Sequence, residues 1–290
     1  MPSSAGLIPS AMMWRFGSRT FDLSARPRVM GILNVTPDSF SDGSRYATAA
    51  DAVVAARQMV ADGADIIDIG GESTRPGAAP VDAAEELRRV LPVIEKLAGR
   101  ITVPISIDSW KSTVAAAALQ AGAEIVNDVS AMTFDPRMAD IVAGTDAGLV
   151  LMHTRGTPLS MQKNTAYSDV IAEVAAFLQS AIDRAVAAGV QTERLVVDPG
   201  IGFGKDATGN LEVIRRLREL AVLQRPLLVG LSRKAFIGTV LGREVTERLF
   251  GTVAAVAVAM MNGATIFRVH DVRAVRDTVD MVRAITATQS

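Results

Sequence analysis

Eight short apolar runs along the chain each hand over to a polar or ionisable residue, and these residues have the types needed for chemistry. In chain order they are Asn34, Asp68 with Glu72, Asp108, Asn127, His153, Asp198, Ser232 through Lys234, and Arg268 with His270. Both histidines of the chain fall in this set. The types separate into two groups. Arg268, His270, Lys234 and the hydroxyls of Ser73 and Thr74 can donate to phosphate oxygens, helped by backbone N–H groups where helices begin after strands. Asp108, Asn127 and Asp198 offer acceptors and one amide, the set that reads the edge of a ring bearing amino and carbonyl groups. The pattern points to a ligand with an anionic half and a base-like half. A single Asp after a strand is ordinarily a helix cap or a turn former. A polar group after every one of the eight runs is not explained that way.

Metal ligation has a thinner signature. With no cysteine and two histidines on separate runs, the chain lacks a thiolate or histidine cluster. Asn34 beside oxygen donors suits a Mg²⁺ that keeps most of its waters and meets the protein through substrate phosphates. The lack of cysteine also excludes disulfides and is compatible with a reducing cytoplasm.

The glycine-rich stretch DPGIGFGK, residues 198 to 205, resembles a nucleotide loop only superficially. Gly200 and Gly204 are too close together for G-x-x-x-x-G-K-[ST], Asp206 follows the lysine, and Lys205 occupies the last glycine position of G-x-G-x-x-G. The expectation is that Asp198 faces the heterocycle and that Lys205 is solvated.

The elements that must position these groups follow from hydrophobic periodicity. The runs at 28 to 34, 64 to 70, 103 to 108, 124 to 128, 148 to 153, 194 to 198, 226 to 232 and 265 to 270 are nearly continuous in Val, Ile and Leu. Such runs suit parallel strands covered on both faces. Between them lie helical patterns such as AADAVVAARQMVADG and DVIAEVAAFLQSAIDRAVAAG. The phrases DGADIIDIG, AGAEIVNDV and NGATIFRVH place a glycine where a helix turns into the next strand. Eight such units without a composition break predict an α/β fold, a (β/α)8 TIM barrel over 13 to 288, with residues 1 to 12 as a flexible tail. WRFGSRTFDL reads as a short N-terminal β-hairpin plugging the bottom of the barrel.

With 30 basic and 31 acidic residues and a net charge of -1, the chain has no broad attraction for nucleic acid or an anionic membrane. The start MPSSAGLIPSAMMWRFGSRT lacks the pattern of a secretory signal. The uncharged stretch from Leu249 to Phe267 is interrupted by Gly251, Thr252, Asn262, Gly263 and Thr265, and reads as a helix, a turn and the start of a strand. Two loops, NVTPDSFSDG and GGESTRPGAAP, follow the first and second strands and have the composition of lids, with Phe40 and Arg75 placed to contact a substrate.

Taken together, MGILNVTPDSFSDG, IDIGGESTRPGA, SIDSWK, IVNDVSA, LMHTRGTP, DPGIGFGK, GLSRKAFIG and FRVHDV resemble bacterial dihydropteroate synthase in kind and in order, from about residue 13 to 285. The resemblance implies a homodimeric, cytoplasmic TIM-barrel transferase of folate biosynthesis. Such an enzyme joins 4-aminobenzoate to 6-hydroxymethyl-7,8-dihydropterin diphosphate and releases pyrophosphate with the help of Mg²⁺. By motif it implies that Asp108, Asn127, Asp198 and Lys234 hold the pterin, with Met152 and Gly230 lining its slot. Arg268, His270 and Thr74 would grip the diphosphate, and Asn34 would approach the metal. Phe40, Thr74, Arg75, Pro76, Phe203 and Lys234 would surround the aminobenzoate. Asp108, Asp198, Lys234, Arg268 and His270 form the implied catalytic set. Relatives often carry serine where this chain has Ala235, which removes one hydroxyl near the aminobenzoate carboxylate. The alternatives are a pterin-dependent methyltransferase domain, which would not need STRPG, SRK and RVHDV together, and a non-catalytic pterin-binding paralogue, against which the intact Lys234, Arg268 and His270 argue.

Overall fold

The computed structural model describes residues 12–36, 48–74 and 77–287. Because the eight apolar runs have no polar face, each strand must be covered on both sides, and they form one parallel sheet. The strands are β3 (Arg28–Asn34), β4 (Ile66–Gly70), β5 (Ile105–Asp108), β6 (Ile125–Asp128), β7 (Gly148–Met152), β8 (Leu195–Asp198), β9 (Leu228–Gly230) and β10 (Ile266–Val269). Their order is β8-β7-β6-β5-β4-β3-β10-β9, and a parallel bridge between Val197 and Leu227 joins the two ends. The sheet is thereby closed as the eight-stranded barrel that the sequence predicts.

Around it run α1 (Ala49–Ala61), α2 (Ala83–Leu97), α3 (Ser112–Gln120), α4 (Met138–Ala143), α5 (Val170–Ala187), α6 (Ala207–Arg215), α7 (Ala235–Leu241), α8 (Leu249–Met261) and α9 (Val272–Thr286). Short acceptors start several of them: Thr48 and Asp51 make a reciprocal cap on α1, and Asp82, Asp169 and Asp206 accept first-turn N–H groups of α2, α5 and α6. Gly122, in the turn from α3 to β6, has φ +108, and a Cβ there would lie 2.6 Å from the Ala98 Cβ. One departure from the simple repeat lies between β9 and β10, where two helices stand in place of one. Gly242, at φ +64, ends α7 in a left-handed cap before α8 begins. The 249 to 267 stretch resolves into α8, a turn and β10, and no helix among the described residues is long and apolar enough to cross a membrane.

The hairpin is formed by β1 (Met13–Phe16) and β2 (Arg19–Asp22), paired antiparallel from Met13 with Asp22. Trp14, Phe16 and Leu23 pack with Met30, Ile66, Ile125, Val150, Val196, Leu228 and Ile266, which come from the N-terminal halves of the barrel strands. The hairpin therefore plugs the end of the barrel away from the strand C-termini. Trp14 is 0% exposed and its indole N–H donates to the Arg194 carbonyl at 2.9 Å. Gly148 leaves room for the ring, since a Cβ there would sit 3.0 Å from Trp14. Trp14→Ala should lower stability by about 3–5 kcal/mol, the usual cost of emptying a large aromatic site. Urea unfolding measures this, and a loss below ~1 kcal/mol would show that the plug is not part of the core.

Candidate active site

At the C-terminal ends of the strands the barrel opens into a slot. Its polar lining is Thr74, Asn127, Asp198, Lys234 and Arg268, and its apolar lining is Val129, Met152, Ile201, Phe203 and Gly230. Parallel register explains why these residues meet. Asp108 pairs with Asn127, Met152 with Asp198, and Gly230 with Arg268, so each pair shares one face of the sheet.

The centre of the site is a buried ion triad. The Arg268 Nε donates to Asp68 Oδ2 at 2.6 Å and its NH2 group to Asp108 Oδ2 at 2.5 Å. Asp68 Oδ2 also accepts from the Asn127 side-chain nitrogen at 3.1 Å. That bond fixes the amide and leaves the Asn127 oxygen for the slot. Asp68 Oδ1 and Asp108 Oδ1 are buried acceptors without a hydrogen-bond partner among the described residues. Burial opposes the charge on Arg268, but Asp108 and Asp68 hold it above the usual guanidinium range. Burial raises Asp108, with Arg268 opposing. Burial likewise lifts Asp198 to about 6, opposed by a hydrogen bond from the Gly200 N–H and by Lys234. Lys234 is pushed down to about 8 by burial, with Asp198 opposing.

The loops that carry the remaining residues are anchored from outside the slot. In SRK, Arg233 has φ +57, a conformation few side chains adopt, and its guanidinium grips Asp271 at 3.0 and 2.6 Å. Arg233 thus faces Asp271 while Lys234 lines the slot, with its ammonium 4.6 Å from the Phe203 ring centre. In NDVSAM, the buried Asp128 accepts from the Ser130 and Met132 N–H groups at 2.8 Å each, shaping the turn after Asn127. In GGEST, Glu72 accepts from the Val81 N–H at 2.9 Å and pairs with Lys111, whose ammonium also meets the fully buried Glu86.

Most of the sequence-predicted residues come together here. Asn127, Met152, Asp198, Gly230, Lys234, Arg268, Thr74 and Phe203 all line the slot, and Asp108 reaches it through Arg268. Asn34 stands at the end of β3, where its Oδ1 and Asp108 Oδ2 both lie within 4 Å of the point a Cβ on Gly70 would occupy. His270 is not in the slot lining; its Nδ1 is 3.0 Å from Ser232 Oγ. Phe40, Arg75 and Pro76 lie outside the described residues. One expectation is overturned: Lys205 is 2% exposed and its ammonium is bonded to His153 and to two backbone carbonyls. The loop coils around it, so the side chain cannot be solvated. Sequence reasoning also gave no role to Asp68 or to the Lys111 pair with Glu72 and Glu86. The available signal for Asp68 was a carboxylate inside the apolar run IIDIG, where only a paired charge is tolerated.

A closed α/β barrel that gathers buried carboxylates, an amide and cations around a slot at its strand C-termini is the architecture of a barrel enzyme acting on a polar heterocycle. The profile of the family described as pterin binding enzyme matches residues 30–270. The dihydropteroate synthase of Synechocystis sp. is 47% identical over 270 residues, covering 93% of this chain and 93% of that protein. Among solved structures, Xanthomonas albilineans dihydropteroate synthase with 4-aminobenzoic acid is 44% identical with a TM-score of 0.89, covering 97% of this chain and 100% of that one. The same enzyme in complex with 7,8-dihydropteroate is 43% identical with a TM-score of 0.84, over 94% of this chain and 98% of that one. The chain belongs to the dihydropteroate synthase family of pterin-binding enzymes.

Asp198 gives the unliganded site a signature in pH. Its folded value of about 6 lies above its ordinary 3.8, so the folded chain binds more protons between the two. This contribution to stability is full below the lower value and is lost as pH rises through the upper one. Thermal unfolding of the wild type and of Asp198→Asn from about pH 4 to 7 should show the wild type losing stability relative to the variant as pH rises. A parallel course for the two proteins would contradict the burial of an ionisable Asp198.

Proposed function

We propose that the chain is a dihydropteroate synthase, joining 4-aminobenzoate to 6-hydroxymethyl-7,8-dihydropterin diphosphate to give 7,8-dihydropteroate and pyrophosphate. The observation that carries the reading is the slot itself, which Asn127, Asp198 and Lys234 line together with Met152, Ile201 and Phe203. An aminopyrimidinone edge offers N–H donors and a carbonyl acceptor, which the carboxylates, the Asn127 oxygen and the Lys234 ammonium complement. The likeness to the enzyme crystallised with 4-aminobenzoic acid and with 7,8-dihydropteroate supports the first as a substrate and the second as the product.

The chemistry follows from where charge develops. As the bond between the pterin methylene carbon and the diphosphate oxygen breaks, negative charge gathers on pyrophosphate and positive charge spreads into the ring. Arg268 spends two of its five N–H donors on Asp68 and Asp108, which leaves others for phosphate oxygens, with His270 and Thr74 beside it in the scheme. Asp108 and Asp198, buried near the ring, favour the positive charge. The arylamine nitrogen then bonds to the methylene carbon and loses one proton to solvent, so no dedicated base is required. Thr74, Phe203 and Lys234 would form the described part of the aminobenzoate site, with Phe40, Arg75 and Pro76 assigned by motif.

A metal fits this scheme as a visitor with the substrate. Among the described residues no group of three or more His, Cys, Asp or Glu side chains could hold one, whereas the Asn34 oxygen at the β3 end supplies a single hard donor. Mg²⁺ held there and by diphosphate oxygens would neutralise charge on the leaving pyrophosphate. We take residues 13 to 288 as one pterin-binding domain. A homodimer is supported by large apolar side chains left exposed on α7, α8 and α9, including Val240, Leu241, Val258, Met281, Ile285 and Phe250, the last 82% exposed. A cytoplasmic location agrees with the lack of cysteine.

Purified protein should release pyrophosphate only when the pterin diphosphate, 4-aminobenzoate and Mg²⁺ are all present. Absence of turnover by folded protein would replace the synthase with a pterin-binding paralogue. Asp198→Ala should weaken pterin binding by about a hundredfold, the cost of a charge-assisted pair, while Phe203→Ala should raise mainly the KM for 4-aminobenzoate. Equal losses for both ligands in both variants would show that the two sites are not divided in this way.

A further inference from the structure

Lys205 does not line the slot, yet the loop that does is wound around it. Its Nζ lies 2.9 Å from His153 Nδ1, 2.9 Å from the Gly200 carbonyl and 3.0 Å from the Phe203 carbonyl. An ammonium has three protons and no acceptor, so these three partners use it fully. With Lys205 charged, His153 is neutral and carries its proton on Nε2, which agrees with burial, Lys205 and Arg155 all pushing the imidazole pKa far below the ordinary value, while burial lowers Lys205 itself to about 7 with Asp198 opposing. The imidazole is fixed in turn by edge contact with Phe177, at 4.9 Å between ring centres.

The rest of the loop has equally little freedom. The Gly202 carbonyl accepts from Gln162 at 3.0 Å, the Gly204 carbonyl from the Tyr167 hydroxyl at 2.8 Å, and the Gly202 N–H donates to Asn210 at 2.7 Å. A Cβ on Gly200 would meet the His153 carbonyl at 1.9 Å, so the backbone passes directly over β7's end. Lys205 ties the carbonyls of Gly200 and Phe203, two residues also joined by the Phe203 N–H donating to the Gly200 carbonyl at 3.1 Å, to the His153 ring at the neighbouring strand end. The charged groups facing it are Asp198, Lys234 and Arg155.

We infer that Lys205, braced by His153, is a positioning residue for the second substrate: it holds the Phe203 ring where 4-aminobenzoate must pass. The inference rests on the synthase reading given above. A lysine that merely filled space could be replaced by methionine of similar length, whereas a post for two carbonyls and an imidazole could not.

The test uses the full chain, Lys205→Met and Phe203→Ala. With the pterin diphosphate saturating, Lys205→Met should raise the KM for 4-aminobenzoate about tenfold and change kcat less than about threefold, as loss of ground-state positioning does. Affinity for the pterin diphosphate should stay within about threefold in both variants. Only two histidines are present, so ¹⁵N ring resonances read His153 directly. In the wild type it should show the Nε2–H tautomer without titrating between about pH 6 and 8, and in Lys205→Met the Nδ1 resonance should shift. A folded Lys205→Met with unchanged KM, or with equal loss of both substrates, overturns the inference. If that variant does not fold, the wild-type spectrum decides: an Nδ1–H tautomer or an ordinary titration overturns it, and the Nε2–H form upholds it. Failure of wild-type turnover would instead sink the synthase reading, while the tautomer would still report the contact.

Discussion

A guanidinium held between two carboxylates inside the barrel mouth is the interaction on which the site depends. Arg268 on β10 meets Asp68 on β4 and Asp108 on β5, across partners 200 and 160 residues away in sequence. Removing such ions from water costs several kcal/mol each, and the triad persists only because each carboxylate meets the one guanidinium at hydrogen-bond distance. In return it fixes Asn127 through Asp68 and leaves unspent donors on Arg268 and unspent acceptors on both carboxylates. The slot is thus charged before any ligand arrives, the condition under which electrostatic catalysis needs little reorganisation.

The loops repeat that arrangement one layer further out. Lys111 joins Glu72 to Glu86, Arg233 joins the SRK turn to Asp271, and Lys205 joins the glycine coil to His153. Each cation reaches from a loop beside the slot to a fixed element beneath it, so the loops inherit the rigidity of the barrel. Glycine makes the closest of these approaches possible, as where Gly200 crosses the His153 carbonyl.

Much of this was legible in the residues. The apolar runs are strands because no alternative buries them on both faces, and their ends converge because a closed parallel barrel points every C-terminus the same way. Hence Asn127, Asp198, Lys234 and Arg268 could be grouped without coordinates, and Trp14 could be assigned to a plug. Lys205 was misread because exposure is the usual state of a lysine, and nothing local reveals that three acceptors converge on it. The second helix between β9 and β10 was missed because the apolar pattern of α7 is only seven residues long.

The sequence by itself determined the succession of the eight barrel strands, the plug and the census of groups at the mouth, because periodicity and turn chemistry are local properties. Tertiary structure alone decided which charges pair, which side chains are dry and which amide atom faces the ligand. Those outcomes depend on strand register and on contacts between residues far apart in the chain, such as Arg268 with Asp68, and no local pattern encodes the distance between them.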